Sequence, residues 1–159
     1  MQGVIWLALG YNVPANPSKG RVYVWRRLKE LGAGYFRPGV AILPKTVQSM
    51  AAFRALSDKI LAMGGEATIA ELKFCDYIDE SDTIQRFLNQ SLIEYDQLLK
   101  DCQGQRSSDE VRQAIRRYGK VRSRDHFKVA GNMGIGAALS DLANDIGDLD
   151  KQLRAILEQ

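Results

Sequence analysis

A chain of 159 residues with 45% apolar and 26% charged residues has the composition of one ordinary globular domain, able to bury roughly 70% of its unfolded surface. Its longest apolar run, about eleven residues from Gly3 to Val13, is too short to cross a bilayer, which takes about 20. Met1 and Gln2 give no positive n-region for a signal peptide, so a cytoplasmic protein without membrane association is expected. The net charge of +3 is unevenly spread. Residues 19–37 carry six Lys or Arg against Glu30, and residues 112–128 carry seven against Asp125, which leaves nine basic and seventeen acidic residues elsewhere. Two segments of +5 and +6 in a chain otherwise at −8 point to an anionic partner.

In chain order, Val4 to Leu9 is continuously apolar, the pattern of a strand buried on both faces. Pro14 and Pro17 end it, and Ser18 is placed to cap a helix that stops at Gly32. That helix carries Val22, Trp25, Leu28 and Leu31 at near-helical spacing as its core-facing residues, with a base-stacking platform the alternative for Trp25, mixed with Lys19, Arg21, Arg26, Arg27 and Lys29. Tyr35–Phe36 and Val40–Leu43 flank an Arg37-Pro38-Gly39 turn and read as two short strands. Thr46 can cap a second helix with Met50, Phe53, Leu56, Ile60 and Met63 on one face, closed by Gly64-Gly65. Glu66 to Phe74 reads as a further strand. Residues 1–75 therefore predict an α+β, ferredoxin-like β-α-β-β-α-β core, one sheet face of which the C-terminal half or a partner must cover.

Residues 76–159 predict a three-helix half within the same single domain, 1–159. Ser81 opens the first helix, to Gln103, with Ile84, Phe87, Leu88, Leu92, Tyr95, Leu99 and Cys102 inward. After a break at Gly104 to Ser107, Ser107 with Glu110 forms a capping box for a helix carrying Val111, Ile115 and Tyr118. The last helix holds Ile135, Leu139, Leu142, Ile146, Leu149, Leu153 and Ile156, spaced 4-3-4-3-4-3 as in a coiled-coil seam. The seam packs on the 81–103 helix or joins two copies, and a homodimer is expected.

The candidate nucleic-acid-binding residues are Lys19, Arg21, Arg26 and Arg27 in the first basic segment, and Arg112, Arg116, Arg117, Lys120, Arg122 and Arg124 in the second. Lys and Arg neutralise phosphates with release of counterions, and a helix is the element that enters a major groove. A solvated helix face is the alternative for the first segment. In the second, Arg112, Arg116 and Lys120 recur every four residues, a row that repels itself by a few tenths of a kcal/mol per pair. Phosphates, acidic protein groups or the chain's own acidic 76–82 segment would compensate it. His126 is the only histidine and has no ligands at zinc spacing, so a structural hydrogen bond is its expected role. Cys75 and Cys102 read as buried, reduced thiols. Gly131, Gly134 and Gly136 precede a helix and could bind an anion at its N-terminus, but they follow no clear strand, and a loop is the better reading. No nucleophile–base pairing, paired-carboxylate motif or P-loop is visible, so no enzymatic activity, cofactor or metal is expected.

A family resemblance runs through the same residues. Trp6-Leu7 to Pro14, Arg21-Val22 with Val24-Trp25-Arg26 and Leu28-Lys29, Leu31-Gly32-Ala33, Gly39-Val40 and Ile42-Leu43-Pro44 resemble the N-terminal domain of the chromate-resistance protein ChrB. Met63-Gly64-Gly65-Glu66-Ala67 and Arg122-Ser123-Arg124-Asp125-His126-Phe127 extend the resemblance, which covers residues 4 to about 127. It implies a cytoplasmic, DNA-binding regulator of a chromate-resistance operon that binds an operator and answers to chromate or another oxyanion as inducer. Members of the family carry a further C-terminal domain. Their ferredoxin-like domain is similar to those of PaaX repressors and of the small CRISPR adaptation endonucleases. The metal-dependent nucleases among the latter hold their metal with an aspartate at the end of the first strand. Tyr11-Asn12 stands there in this chain, and a neutral amide is a poor substitute for a metal-binding carboxylate. Two other functions remain open beside the regulator: a protein-interaction or assembly module without DNA binding, and a small-oxyanion (chromate) binding protein.

Overall fold

The computed structural model describes residues 3–101, 107–129 and Ile156. The chain divides into two units, Met1–Ile84 and Gln85–Gln159. In the first, the elements run β1 (Trp6–Asn12), α1 (Lys19–Glu30), β2 (Gly34–Arg37), β3 (Val40–Pro44), α2 (Val47–Ala62) and β4 (Glu66–Leu72), followed by the start of α3 (Tyr77–Asp101). The strands form one antiparallel sheet in the order β2-β3-β1-β4. This is the predicted ferredoxin-like α+β core, with β1 and β3 at its centre.

Alternation along the strands decides which side chains meet the helices. Leu7 lies opposite Leu43 and Leu9 opposite Ala41. All four pack with Val24 and Leu28 of α1 and with Phe53, Leu56 and Ile60 of α2. On the other side of the sheet Trp6, Ala8 and Ile42 are buried as well, so β1 is covered on both faces as its unbroken apolar run predicts. Within this unit, Phe74 meets the Trp6 ring edge-on at 6.1 Å.

The start of α2 is fixed by a reciprocal cap. The Thr46 hydroxyl accepts from Ser49 N–H at 2.9 Å, and Ser49 Oγ accepts from Thr46 N–H at 2.8 Å. Thr46→Ala is expected to lower stability by about 1 kcal/mol, read as a shifted urea midpoint at unchanged slope. The end of α2 needs both glycines. Gly64 has φ +81, and a Cβ on Gly65 would stand 2.4 Å from the carbonyl oxygen of Asn12.

Helix α1 departs from expectation in two respects. Ser18 occupies the N-cap position, but its side chain makes no cap hydrogen bond. Trp25 and Val22 are not core residues: they are 54% and 43% exposed, and Val24 and Leu28 are buried instead. Steps of three residues fall short of a full turn, so the Val22–Trp25–Leu28–Leu31 series winds around the helix. The i, i+4 pair Val24–Leu28 stays on one side.

In the second unit, α3 continues and α4 (Ser108–Arg124) packs along it. Tyr95 and Leu98 of α3 form a core with Val111, Ala114, Ile115, Tyr118 and Val121 of α4. Ser107 caps α4, its hydroxyl accepting from Glu110 N–H at 3.3 Å. Ser81 does not open α3. The helix starts four residues earlier, where the Asp76 carboxylate accepts from Ile78 N–H at 2.7 Å and Asp79 and Glu80 favour the positive end of the helix dipole. Its inward stripe is Ser91, Tyr95 and Leu98, whereas Leu92, expected inside, is 39% exposed. Cys75 is exposed rather than buried, and Cys102 lies outside the described residues. The predicted third helix and its heptad seam also lie outside them, apart from Ile156, which packs against the core of this unit. Among the described residues no helix is long and apolar enough to cross a membrane.

Candidate nucleic-acid interface

With Val24 and Leu28 turned to the core, the outward side of α1 presents Lys19, Val22, Trp25, Arg26 and Lys29. The Lys29 ammonium stands 5.1 Å from the centre of the Trp25 ring. Arg21 donates from Nε to the carbonyl of Val13 at 3.0 Å, and Arg27 pairs with Glu30 at 3.1 Å. Arg37 lies 4.9 Å over Phe36 and donates to the Phe36 carbonyl at 2.7 Å. Among the described residues Lys19 and Arg26 have no ion-pair partner. The one pair on this helix is exposed, and such pairs contribute about 0–1 kcal/mol, so Arg27 remains free to exchange Glu30 for a phosphate. At the N-terminal end of α1, Val13, Pro14, Pro17, Gly20, Tyr23 and Met63 line an apolar cleft of about 440 Å³ with Lys19 at its rim.

The cations of α4 divide into two sets. Arg124 reaches Glu94 Oε2 through Nε at 3.1 Å and Nη2 at 3.0 Å, and both side chains are about three-quarters buried. Arg117 pairs with Asp101 at 2.6 Å, and Arg112 with Asp109 at 3.4 Å. Arg122 lies 5.8 Å over the Tyr118 ring and donates to its hydroxyl at 3.1 Å. Among the described residues of this unit, the acids paired with this helix are Glu94, Asp101 and Asp109. Arg116 and Lys120 are exposed, one turn apart, and without an ion-pair partner among the described residues. They are the α4 cations best placed for a polyanion.

After α4 the chain is tied back by a buried carboxylate. Asp125 accepts from the Tyr95 hydroxyl at 2.8 Å and from Val129 N–H at 3.0 Å. Burial, then the hydrogen bond to Asp125 and its negative charge, hold the Tyr95 hydroxyl well above the ordinary tyrosine range. His126 packs edge-on against Phe87 at 6.1 Å. The exposed indole of Trp25 overturns its core-facing expectation, and the Tyr95–Asp125 pair is a contact that the sequence does not announce. The first follows from the angle between Trp25 and the Val24–Leu28 pair, whereas the second joins residues 30 apart and has no local signal. Asn12 ends β1 and is exposed. Among the described residues no three His, Cys, Asp or Glu side chains are grouped to hold a metal ion.

The family model for the N-terminal part of protein ChrB matches residues 21–120. This chain belongs to the ChrB N-terminal family. Protein ChrB of Cupriavidus metallidurans is 27% identical over 132 residues, which cover 77% of this chain and 40% of that protein. The chain thus spans well under half the length of that curated relative. No solved structure matches. The matched ChrB region runs from Arg21 in α1 to Lys120 in α4. It therefore includes Arg21, Arg26, Arg27, Arg112, Arg116 and Arg117, while Lys19, Arg122 and Arg124 flank it.

Proposed function

We propose that this chain is a cytoplasmic, non-enzymatic DNA-binding regulator associated with chromate resistance, acting as a homodimer that holds duplex DNA through segments 19–37 and 112–128. An oxyanion such as chromate is its proposed inducer. The observation that carries the reading is the division of labour on α1: Val24 and Leu28 take the core and leave Lys19, Arg26 and Lys29 outward, with no acid paired to them among the described residues. Family membership supports the regulatory role. Arg116 and Lys120 give the second unit an exposed cationic pair of its own. A polyanion bound by such residues releases counterions, so log K should fall with log salt by about 0.9 for each phosphate contact. Gel shifts of the full chain on duplex DNA across a salt series are expected to give a slope steeper than about −3. Absence of binding at low salt rejects the reading.

A protein-interaction module is the second reading. It is favoured by the engagement of Arg117 and Arg124 with acids of α3 and by the exposure of Tyr77 and Ile78 at 65% and 66%. It predicts no duplex binding at any salt concentration.

A further inference from the structure

The chain has two tryptophans with opposite surroundings. Trp6 is fully buried in the sheet, and Trp25 is 54% exposed on the outward side of α1. An indole that packs no core is a large apolar surface left in water, and here it is flanked by Val22, itself 43% exposed, and by Arg26 and Lys29. Trp25 therefore combines an open π face with neighbouring cations, the pairing that binds a base by stacking while its phosphate is neutralised. A protein partner would have to present acids across the same few ångströms as an aromatic pocket. A nucleotide brings both parts in one unit.

Resting on the DNA-binding reading above, we infer that Trp25 stacks on an unstacked base of the bound nucleic acid, with Arg26 and Lys29 on the flanking phosphates. Lys29 now lies 5.1 Å from the ring centre. This cation–π contact holds the side chain close to where a phosphate would follow the stacked base, and an arriving base exchanges with it. The base comes either from a single strand or from a duplex opened at the contact, because a paired base inside the stack offers no face to an indole. Trp25 thereby adds an uncharged, sequence-tolerant component to a site that is otherwise electrostatic.

Fluorescence and affinity titrations of the full chain test this with three probes: a single-stranded oligonucleotide, an intact duplex, and the same duplex with a central unpaired bubble. Wild-type emission is expected to be quenched on binding, and emission of Trp25→Phe, which retains only the buried Trp6, is not. Trp25→Ala is expected to weaken binding between about fivefold and a hundredfold without altering the salt slope, since it removes no charge. Lys29→Gln should instead reduce the slope by about 0.7 to 0.9. The probe that gives the strongest quenching identifies the source of the base. Salt-dependent binding without quenching, or quenching without loss of affinity in Trp25→Ala, overturns the stacking role and leaves the DNA-binding reading standing. No binding to any probe at low salt ends both. Exposure of Trp25 lets its variants be compared at unchanged thermal stability.

Discussion

Arg116→Glu combined with Lys120→Glu is expected to weaken duplex binding by more than about tenfold near physiological salt and to lower the salt slope by about 1.8. The magnitude follows from two phosphate contacts at about 0.9 each, with reversal adding repulsion to the loss of attraction. These two residues are chosen because the other cations of α4 already have work within the unit. Removing Arg117 would break the 2.6 Å pair with Asp101, and removing Arg124 would break the pair with the largely buried Glu94. A fall in binding would then report damage as readily as lost contacts. The double reversal has the opposite structural sign, because a glutamate four residues after Arg112 relieves a like-charge pair by a few tenths of a kcal/mol. Thermal unfolding should therefore be unchanged or slightly raised. Lys59→Glu, at an exposed position of α2 and outside both basic segments, is a charge-reversal control and should leave affinity within about twofold. Equal affinities for the double reversal and Lys59→Glu would remove α4 from the interface.

The core of the first unit was legible because each of its signals is local. The β1 run, the Thr46 cap, the Gly64-Gly65 stop and the Arg37-Pro38-Gly39 turn each act within a few residues, and alternation then sorts Leu7 and Leu9 from Trp6 and Ala8. The α1 face was misread because three-residue and four-residue spacings compete over a twelve-residue helix, and only packing against α2 and the sheet selects Val24 and Leu28. The same ambiguity sets Leu92 inside α3 on spacing, although Tyr95 and Leu98 are the residues that pack on α4. At the candidate site, the sequence counts cations without showing which are engaged. Seven basic residues between 112 and 128 look uniform until Glu94 and Asp101, on another helix, claim Arg124 and Arg117. Ion pairs of that range depend on how α3 and α4 are set side by side, which no spacing within either helix encodes.

The buried carboxylate at the end of α4 gives the largest expected effect on stability. Asp125→Ala is expected to cost about 2–4 kcal/mol, because it takes the acceptor from the buried Tyr95 hydroxyl, at about 1–3 kcal/mol, and from the part-buried Val129 N–H, at less. Tyr95→Phe should cost less, about 1–2 kcal/mol, since the hydroxyl goes together with its need for a partner while Asp125 Oδ2 loses its 2.8 Å donor and Oδ1 stays bonded to Val129. The two substitutions should be strongly non-additive in a double-mutant cycle, as expected of groups in direct contact. The pair also sets a sign for alkaline stability. In the folded protein the Tyr95 hydroxyl ionises well above its ordinary value of 10.0, owing first to burial and then to Asp125, so the unfolded chain releases this proton at lower pH than the native one. Its stabilising contribution is thus fully present below about pH 10 and declines as pH rises beyond it. Urea unfolding of wild type between pH 8 and 11 should show that decline, and Tyr95→Phe should flatten it. Equal alkaline slopes in the two proteins, together with a loss under 1 kcal/mol for Asp125→Ala, would show that the carboxylate does not hold the second unit together.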